Sequence, residues 1–197
     1  MFLELTDHLR CPADHPEGYL VLIPDRMEGR QVLSGTLGCP VCHAEYPIVG
    51  GVVEMGTADL PRERASAMVP NAAALHAFLG LEGPGGYVGL VGDAARQADE
   101  LARRLPGVHL VAVNPEPPLR ASERVSVVRA PRMPLKARSL RGVVVGLPEA
   151  AGAEWRSQSV LAVLPGLRAA GAGPAPGAAE SFELLGTAEG WWVGRRT

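Results

Sequence analysis

Four short apolar runs in the second half of this chain constrain its fold more than any other feature. They are Tyr87-Val-Gly-Leu-Val91, Val108-His-Leu-Val-Ala-Val113, Val125-Ser-Val-Val128 and Leu140 to Leu147, the last centred on Gly142-Val-Val-Val-Gly146. None alternates apolar with polar residues, as a strand with one wet face does. Each has the length of a strand, and β-branched valine dominates all four. Between the first two, Ala98, Leu101 and Leu105 recur at helical spacing over 94–105. Strands buried on both sides and alternating with helix predict a parallel sheet covered on both faces. A further helix is predicted over 157–169, where Val160, Leu161, Leu164 and Leu167 are apolar. Residues 170–179, rich in Gly, Pro and Ala, read as a loop. Phe182–Leu185 and Trp191–Val193 read as a final antiparallel hairpin.

The first 55 residues have a different texture. A short helix is predicted over Phe2–Leu9 and strands over Tyr19–Ile23, Gln31–Leu33 and Gly35–Leu37. Tyr46–Val49, a Gly50-Gly51 turn and Val52–Met55 form a closing hairpin. Residues 56–85 read as a connector, charged over 59–67, with a helix over 70–79 that Asn71 caps. The predicted organisation is therefore a module over 1–55, a linker over 56–85 and an α/β domain over 86–197.

Within the first module, Cys39-Pro-Val-Cys42 is a knuckle from which two thiolates can grip one metal ion. Cys11 lies upstream and is likewise followed by proline. The fourth ligand is expected beside Cys11, from Asp14 or His15. Zinc takes thiolate and imidazole well, which favours His15. Four protein ligands close the coordination sphere and make the metal structural. The odd count of three cysteines argues against a disulfide framework. Cys39-Pro-Val-Cys42-His43 also matches a haem-attachment pattern, but that chemistry normally follows export. No leader with a basic start and an apolar stretch is visible, and no apolar run approaches the roughly 18–20 residues that cross a bilayer. A cytoplasmic protein is the expectation.

The motifs of the first module resemble the short zinc-ribbon proteins that activate tRNA, rRNA and protein methyltransferases. The likeness rests on Leu9-Arg-Cys11-Pro12, Cys39 to Cys42, Tyr46-Pro-Ile48, Gly50-Gly51 and Met55. The departure is the first knuckle, which lacks its second cysteine. The resemblance implies a ribbon that pairs with a methyltransferase domain and stabilises it.

Residues 86–193 resemble a class I S-adenosylmethionine-dependent methyltransferase, a doubly wound, Rossmann-like, mostly parallel sheet. Met133-Pro-Leu135 stands for a Leu-Pro-Phe-like triplet, Val143-Val-Val145 for the strand after it, and Val163 to Arg168 for a later family motif. Cofactor binding in such a sheet needs a Gly-rich turn after the first strand and a carboxylate after the second. Here the turn reads Gly89-Leu-Val-Gly92-Asp93-Ala-Ala-Arg96, and the acid position holds Asn114 with Glu116 two residues on. After the third strand the chain offers Arg129. These three places define the pocket, and all depart from the pattern. The domain also reads as shortened, because a fifth strand and another helix are missing from the sequence pattern.

Three readings follow. The first is a non-catalytic, methyltransferase-like binding or scaffold protein with a structural zinc ribbon. Its partner would be a methyltransferase or a second copy of the chain. The second is an active methyltransferase using S-adenosylmethionine in an atypical pocket (Gly89, Gly92, Asp93, Asn114, Glu116), with RNA or protein as substrate. The third is a domain for another ligand, or for oligomerisation. Nineteen basic residues against 21 acidic ones leave a net charge of −2, which gives no broad basic face for nucleic acid.

Overall fold

A computed structural model describes residues 1–58, 68–148, 153–177 and 181–197. The charged stretch 59–67 and residues 178–179 of the expected loop lie outside the described residues. The described residues form one mixed sheet of eleven strands in the order β1-β2-β3-β4-β7-β6-β5-β8-β9-β11-β10.

Strands β1 (Val21–Glu28), β2 (Gln31–Gly38), β3 (Glu45–Val49) and β4 (Val52–Glu54) form the antiparallel ribbon. Gly50 and Gly51 both take positive φ, as a two-residue turn matching strand twist requires. Strands β5 (Tyr87–Gly92), β6 (His109–Val113), β7 (Val125–Arg129), β8 (Leu140–Gly146) and β9 (Val163–Ala172) are parallel, in the doubly wound order 7-6-5-8-9. The last hairpin, β10 (Phe182–Ala188) and β11 (Trp191–Arg196), inserts β11 antiparallel against β9.

The ribbon is not a separate sheet. Strand β4 runs parallel to β7, with Val52 opposite Val127 and Glu54 opposite Arg129. An ion pair between Arg129 Nη1 and Glu54 Oε1 at 2.9 Å closes the seam.

Coverage of the two faces explains why. Helices α1 (Ala72–Leu79) and α2 (Ala98–Arg104) pack Leu75, Leu79, Leu101 and Leu105 against Val88, Leu90, Leu110 and Val127. Asn71 caps α1 by accepting from Ala74 N–H at 3.0 Å, and Gly80 ends it in the left-handed conformation. On the other face the crossovers 114–124 and 130–139 carry no helix. The N-terminal segment takes their place. Its 3-10 turn, Leu3–His8, buries Leu5, and Leu9 bridges to Leu135. Met1, Leu5, Leu9 and Met133 are fully buried with Val91, Val111 and Val145. Helix α3 (Ala153–Ala162) covers the rest of this face.

Two expectations need correction. The helix predicted over 157–169 divides: α3 ends at Ala162, and Val163 begins a strand. Pro165 cannot continue a helix, and Gly166 at φ 81° turns the chain out of it. The sheet register jumps from Leu140–Val163 to Gly142–Arg168, so the intervening residues bulge outward. The apolar helical pattern was thus a coincidence across two elements. The fifth strand is accordingly present, and the α/β part is not shortened there. It runs through Ala169-Ala170-Gly171-Ala172, where small residues admit Trp192 against the backbone. A Cβ on Gly171 would lie 2.5 Å from that indole.

His109 sits inside the seam between the N-terminal segment and the sheet. Its Nε2 is 2.9 Å from Ser126 Oγ, and its ring stacks on Phe2 at 4.5 Å. Burial first, then the charges of the N-terminal amino group and Arg124, push its pKa down to about 4 from 6.5. The folded chain holds this imidazole neutral while the unfolded chain protonates it. Its contribution is therefore whole above pH 6.5 and disappears as pH falls toward 4. The expected loss is on the order of 2–3 kcal/mol. Urea unfolding from pH 7 to 4 checks it: the slope of stability on pH should flatten in His109→Gln.

Candidate metal centre and sheet crevice

The metal centre assembles from two loops. Cys11 follows the N-terminal segment, which is pinned by Arg10: its N–H donates to Pro134 O at 2.8 Å and its Nε to Met133 O at 2.9 Å. Cys39 directly follows β2, and the knuckle to Cys42 closes through His43 N–H onto Cys39 O at 2.9 Å. His43 itself points to solvent at φ 59°.

The ligand atoms of Cys11, His15, Cys39 and Cys42 all lie within 4.8 Å of one another. Cys11 Sγ is 3.6 Å from Cys42 Sγ, and Cys39 Sγ is 3.3 Å from His15 Nε2. Zinc bonds of about 2.3 Å to sulfur and about 2.0 Å to nitrogen set tetrahedral edges of about 3.8 and 3.5 Å. The side chains therefore already stand near the corners such an ion needs. Asp14 is exposed and outside the group; His15 is the side chain that joins it.

Three outer contacts fit the same chemistry. His15 Nδ1 lies 2.7 Å from Pro16 O, which fixes the tautomer that leaves Nε2 a free lone pair. Tyr46 Oη is 2.9 Å from Cys11 Sγ, and Ala13 N–H donates to the same sulfur at 3.4 Å. Burial pushes the Cys39 thiol up, but the N–H groups of Cys42 and Val41 outweigh it and bring it to about 7. Burial raises the Cys11 thiol. Tyr46 was legible only as part of a family motif, not as a sulfur ligand's neighbour.

The carboxyl edge of β5 and β6 is where a doubly wound sheet receives a nucleotide. Gly89 is not in the turn but inside β5, between Val111 and Val143; a Cβ there would meet Leu140 and Val143 side chains at 3.0 and 3.1 Å. Gly92 ends β5 at φ 63°. A Cβ on it would lie 2.6 Å from Gly146 O and 2.7 Å from Leu147 Cδ2. A Cβ on Gly146 would in turn lie 2.5 Å from Ala94 N. The glycines at this turn let the chain pack on itself at the end of β8. Asp93 is buried and bonded by Arg96 Nε at 3.0 Å.

Asn114 stands at the end of β6 with φ 47°. Its Nδ2 donates to Ala130 O at 2.8 Å and its Oδ1 accepts from Ala130 N–H at 2.9 Å. Each end of the amide makes one bond to Ala130, just past β7, tying the two strand ends together. Glu116 is exposed. The five expected cofactor residues thus sit at β5, its turn and the loop after β6, with Asp93 buried, Asn114 half-buried and Glu116 exposed. Trp191 and Trp192 are both buried, on opposite faces. Among the described residues no helix is long and apolar enough to cross a membrane.

No family model and no curated protein matches the chain. Similar solved structures include a protein of an Anabaena variabilis antibiotic-biosynthesis pathway, described as a methyltransferase. It shows 15% identity over 52% of this chain and 45% of its own length, at a TM-score of 0.41. The chain therefore spans under half of that protein. A second is the Burkholderia thailandensis 1,6-didemethyltoxoflavin N1-methyltransferase with bound S-adenosylhomocysteine, at 16% identity, 64% and 76% coverage and a TM-score of 0.47. A third is the antibiotic-resistance methyltransferase Kmr, at 16%, 66%, 95% and 0.43. These three are described as methyltransferases, while another similar structure is the [4+2]-cyclase SpnF, at 11% identity, 58% and 57% coverage and a TM-score of 0.43.

Proposed function

We propose that this chain is a zinc-stapled, methyltransferase-like protein that works by binding a partner and not by transferring methyl groups. The convergence of Cys11, His15, Cys39 and Cys42 within 4.8 Å carries this reading. Zinc held by these four side chains would supply a structural cross-link and leave no open position for a reacting ligand. The chain's own residues do the rest: Tyr46 and Ala13 hold the Cys11 sulfur, and Pro16 orients His15. The staple fastens the N-terminal segment, which covers the bare face of the sheet, to the ribbon's knuckle.

The non-catalytic half of the reading is supported by the sheet edge. Gly92, Gly146 and Ala94 leave no room for one Cβ between them, and the Asn114 amide is already bonded. A neutral amide also lacks the charge-assisted bond to ribose hydroxyls, a loss of about 1–2 kcal/mol. The partner on this reading is a methyltransferase or a second copy, in the reducing cytoplasm where thiolates persist.

Two measurements test it. Mass spectrometry of the native chain should find one zinc per chain. Calorimetric titration with S-adenosylmethionine and S-adenosylhomocysteine should show no saturable heat up to millimolar concentration. Saturable binding in the micromolar range would overturn the non-catalytic reading in favour of an active methyltransferase.

A further inference from the structure

Of the three cysteines, Cys11 and Cys39 are buried and Cys42 is exposed. The exposure follows from the knuckle, where Pro40, Val41, Cys42 and His43 all face solvent between β2 and β3. A sulfur that ligates a metal does so as thiolate, the form that reacts with oxidants. A closed coordination sphere offers nothing to a substrate, yet this one leaves a single sulfur residue at the surface. Oxidation selects thiolates that solvent can reach, and of the three cysteines Cys42 meets that condition.

The outcome of a first attack depends on the nearest second sulfur. Cys11 Sγ lies 3.6 Å from Cys42 Sγ, in van der Waals contact. Tyr46 Oη at 2.9 Å and Ala13 N–H at 3.4 Å hold the Cys11 sulfur there. Cys39 Sγ is engaged by His15 Nε2 at 3.3 Å. Cys11 is therefore the sulfur positioned to respond.

Resting on the zinc staple, we propose that Cys42 is an oxidation site for hydrogen peroxide, with Cys11 as its resolving thiolate. The Cys42 thiolate attacks the peroxide: an S–O bond forms, the O–O bond breaks, and hydroxide leaves and takes a proton. The Cys42 sulfur has then given two electrons to the peroxide. The Cys11 thiolate attacks that sulfur: an S–S bond forms, the S–O bond breaks, and a second hydroxide leaves and takes a proton. Two thiolates, one peroxide and two protons thus give one disulfide and two waters. Cys39 and His15 are then the remaining ligands, two short of the four a structural site needs. The new bond joins the loops that the metal joined, so the ion is lost while the N-terminal segment stays fastened to the knuckle. A Cys39–Cys42 bond would also release the ion, but it would leave that segment loose.

The test uses the full zinc-loaded chain, hydrogen peroxide, a zinc-indicating dye and non-reducing peptide mapping. One zinc should be released per peroxide consumed and per Cys11–Cys42 disulfide formed. The oxidised chain should melt within roughly 5 °C of the zinc-loaded one, because the bond spans 31 residues and restrains the unfolded chain. The reduced, chelated chain should fall by about 10 °C. Reductant with added zinc should restore the starting state. Cys39→Ala weakens the metal site but should still form the Cys11–Cys42 bond under peroxide. Should that variant fail to fold, the linkage in the unaltered chain, read from fragment spectra, decides. A chain isolated without zinc would overturn the metal reading alone, since the Cys11–Cys42 linkage is read from the same digests. Zinc retained at several equivalents of peroxide, a Cys39–Cys42 linkage, Cys42 halted as sulfinic acid, or an oxidised chain melting as low as the chelated one would each overturn the proposal.

Discussion

Cys39→Ser is expected to release the zinc and to lower stability by about 3–5 kcal/mol, or roughly 10 °C in Tm for a chain of this size. Cys39 stands 3.3 Å from His15 just past the end of β2, so its loss opens the polyhedron between the two loops. Residues 11–20 hold little regular structure of their own and depend on that cross-link for a fixed path. Chelation of the native chain should reproduce the effect, and Asp14→Asn should leave both metal content and Tm unchanged. Because thiolates and neutral imidazole are the binding forms, zinc affinity should fall as pH is lowered. A metal-free chain as stable as the loaded one would remove the staple from the account.

Leu9→Ala is expected to cost about 2–5 kcal/mol, the range for emptying a fully buried leucine site. Leu9 is completely enclosed and bridged to Leu135, deep in the face that the crossovers leave without helices. The more telling part is cooperativity. Native-state hydrogen exchange should show the ribbon strands and β5–β8 losing protection together, in one transition shifted by the substitution. Two separable transitions, with only the ribbon responding, would mean that the β4–β7 seam does not couple the halves.

What the sequence disclosed divides along a physical line. Valine-rich runs without alternation identify buried strands at once, and β5 to β8 appear where they were expected. The knuckle at Cys39 and Cys42 was equally plain, because the ligands are neighbours in the chain. His15 was separable from Asp14 by ligand chemistry. Strand β9 was hidden because Val160, Leu161, Leu164 and Leu167 keep helical spacing across a helix end and a bulge; only Pro165 and Gly166 signalled the break. The pairing of Phe2 with His109, of Glu54 with Arg129 and of Leu9 with Leu135 had no local sign at all. Long-range contacts of this kind leave no periodicity behind, so the merging of ribbon and sheet was invisible from composition and spacing.

Joining ribbon and α/β strands through β4 and β7 leaves, among the described residues, β1 and β10 as the two edges of the sheet. Both are greasy for their position: Tyr19 beside β1 is 66% exposed and Ile23 within it 60%, while Leu184 on β10 is 50% exposed. Bare edges of that character are templates for runaway strand addition. The β1 rim carries its own safeguard, since Pro24 withholds an amide there and the ladder slips between Pro24 and Met27. A leucine or valine in place of Pro24 would therefore change little inside the molecule but hand its neighbours a continuous row of donors, opening the way to fibrils.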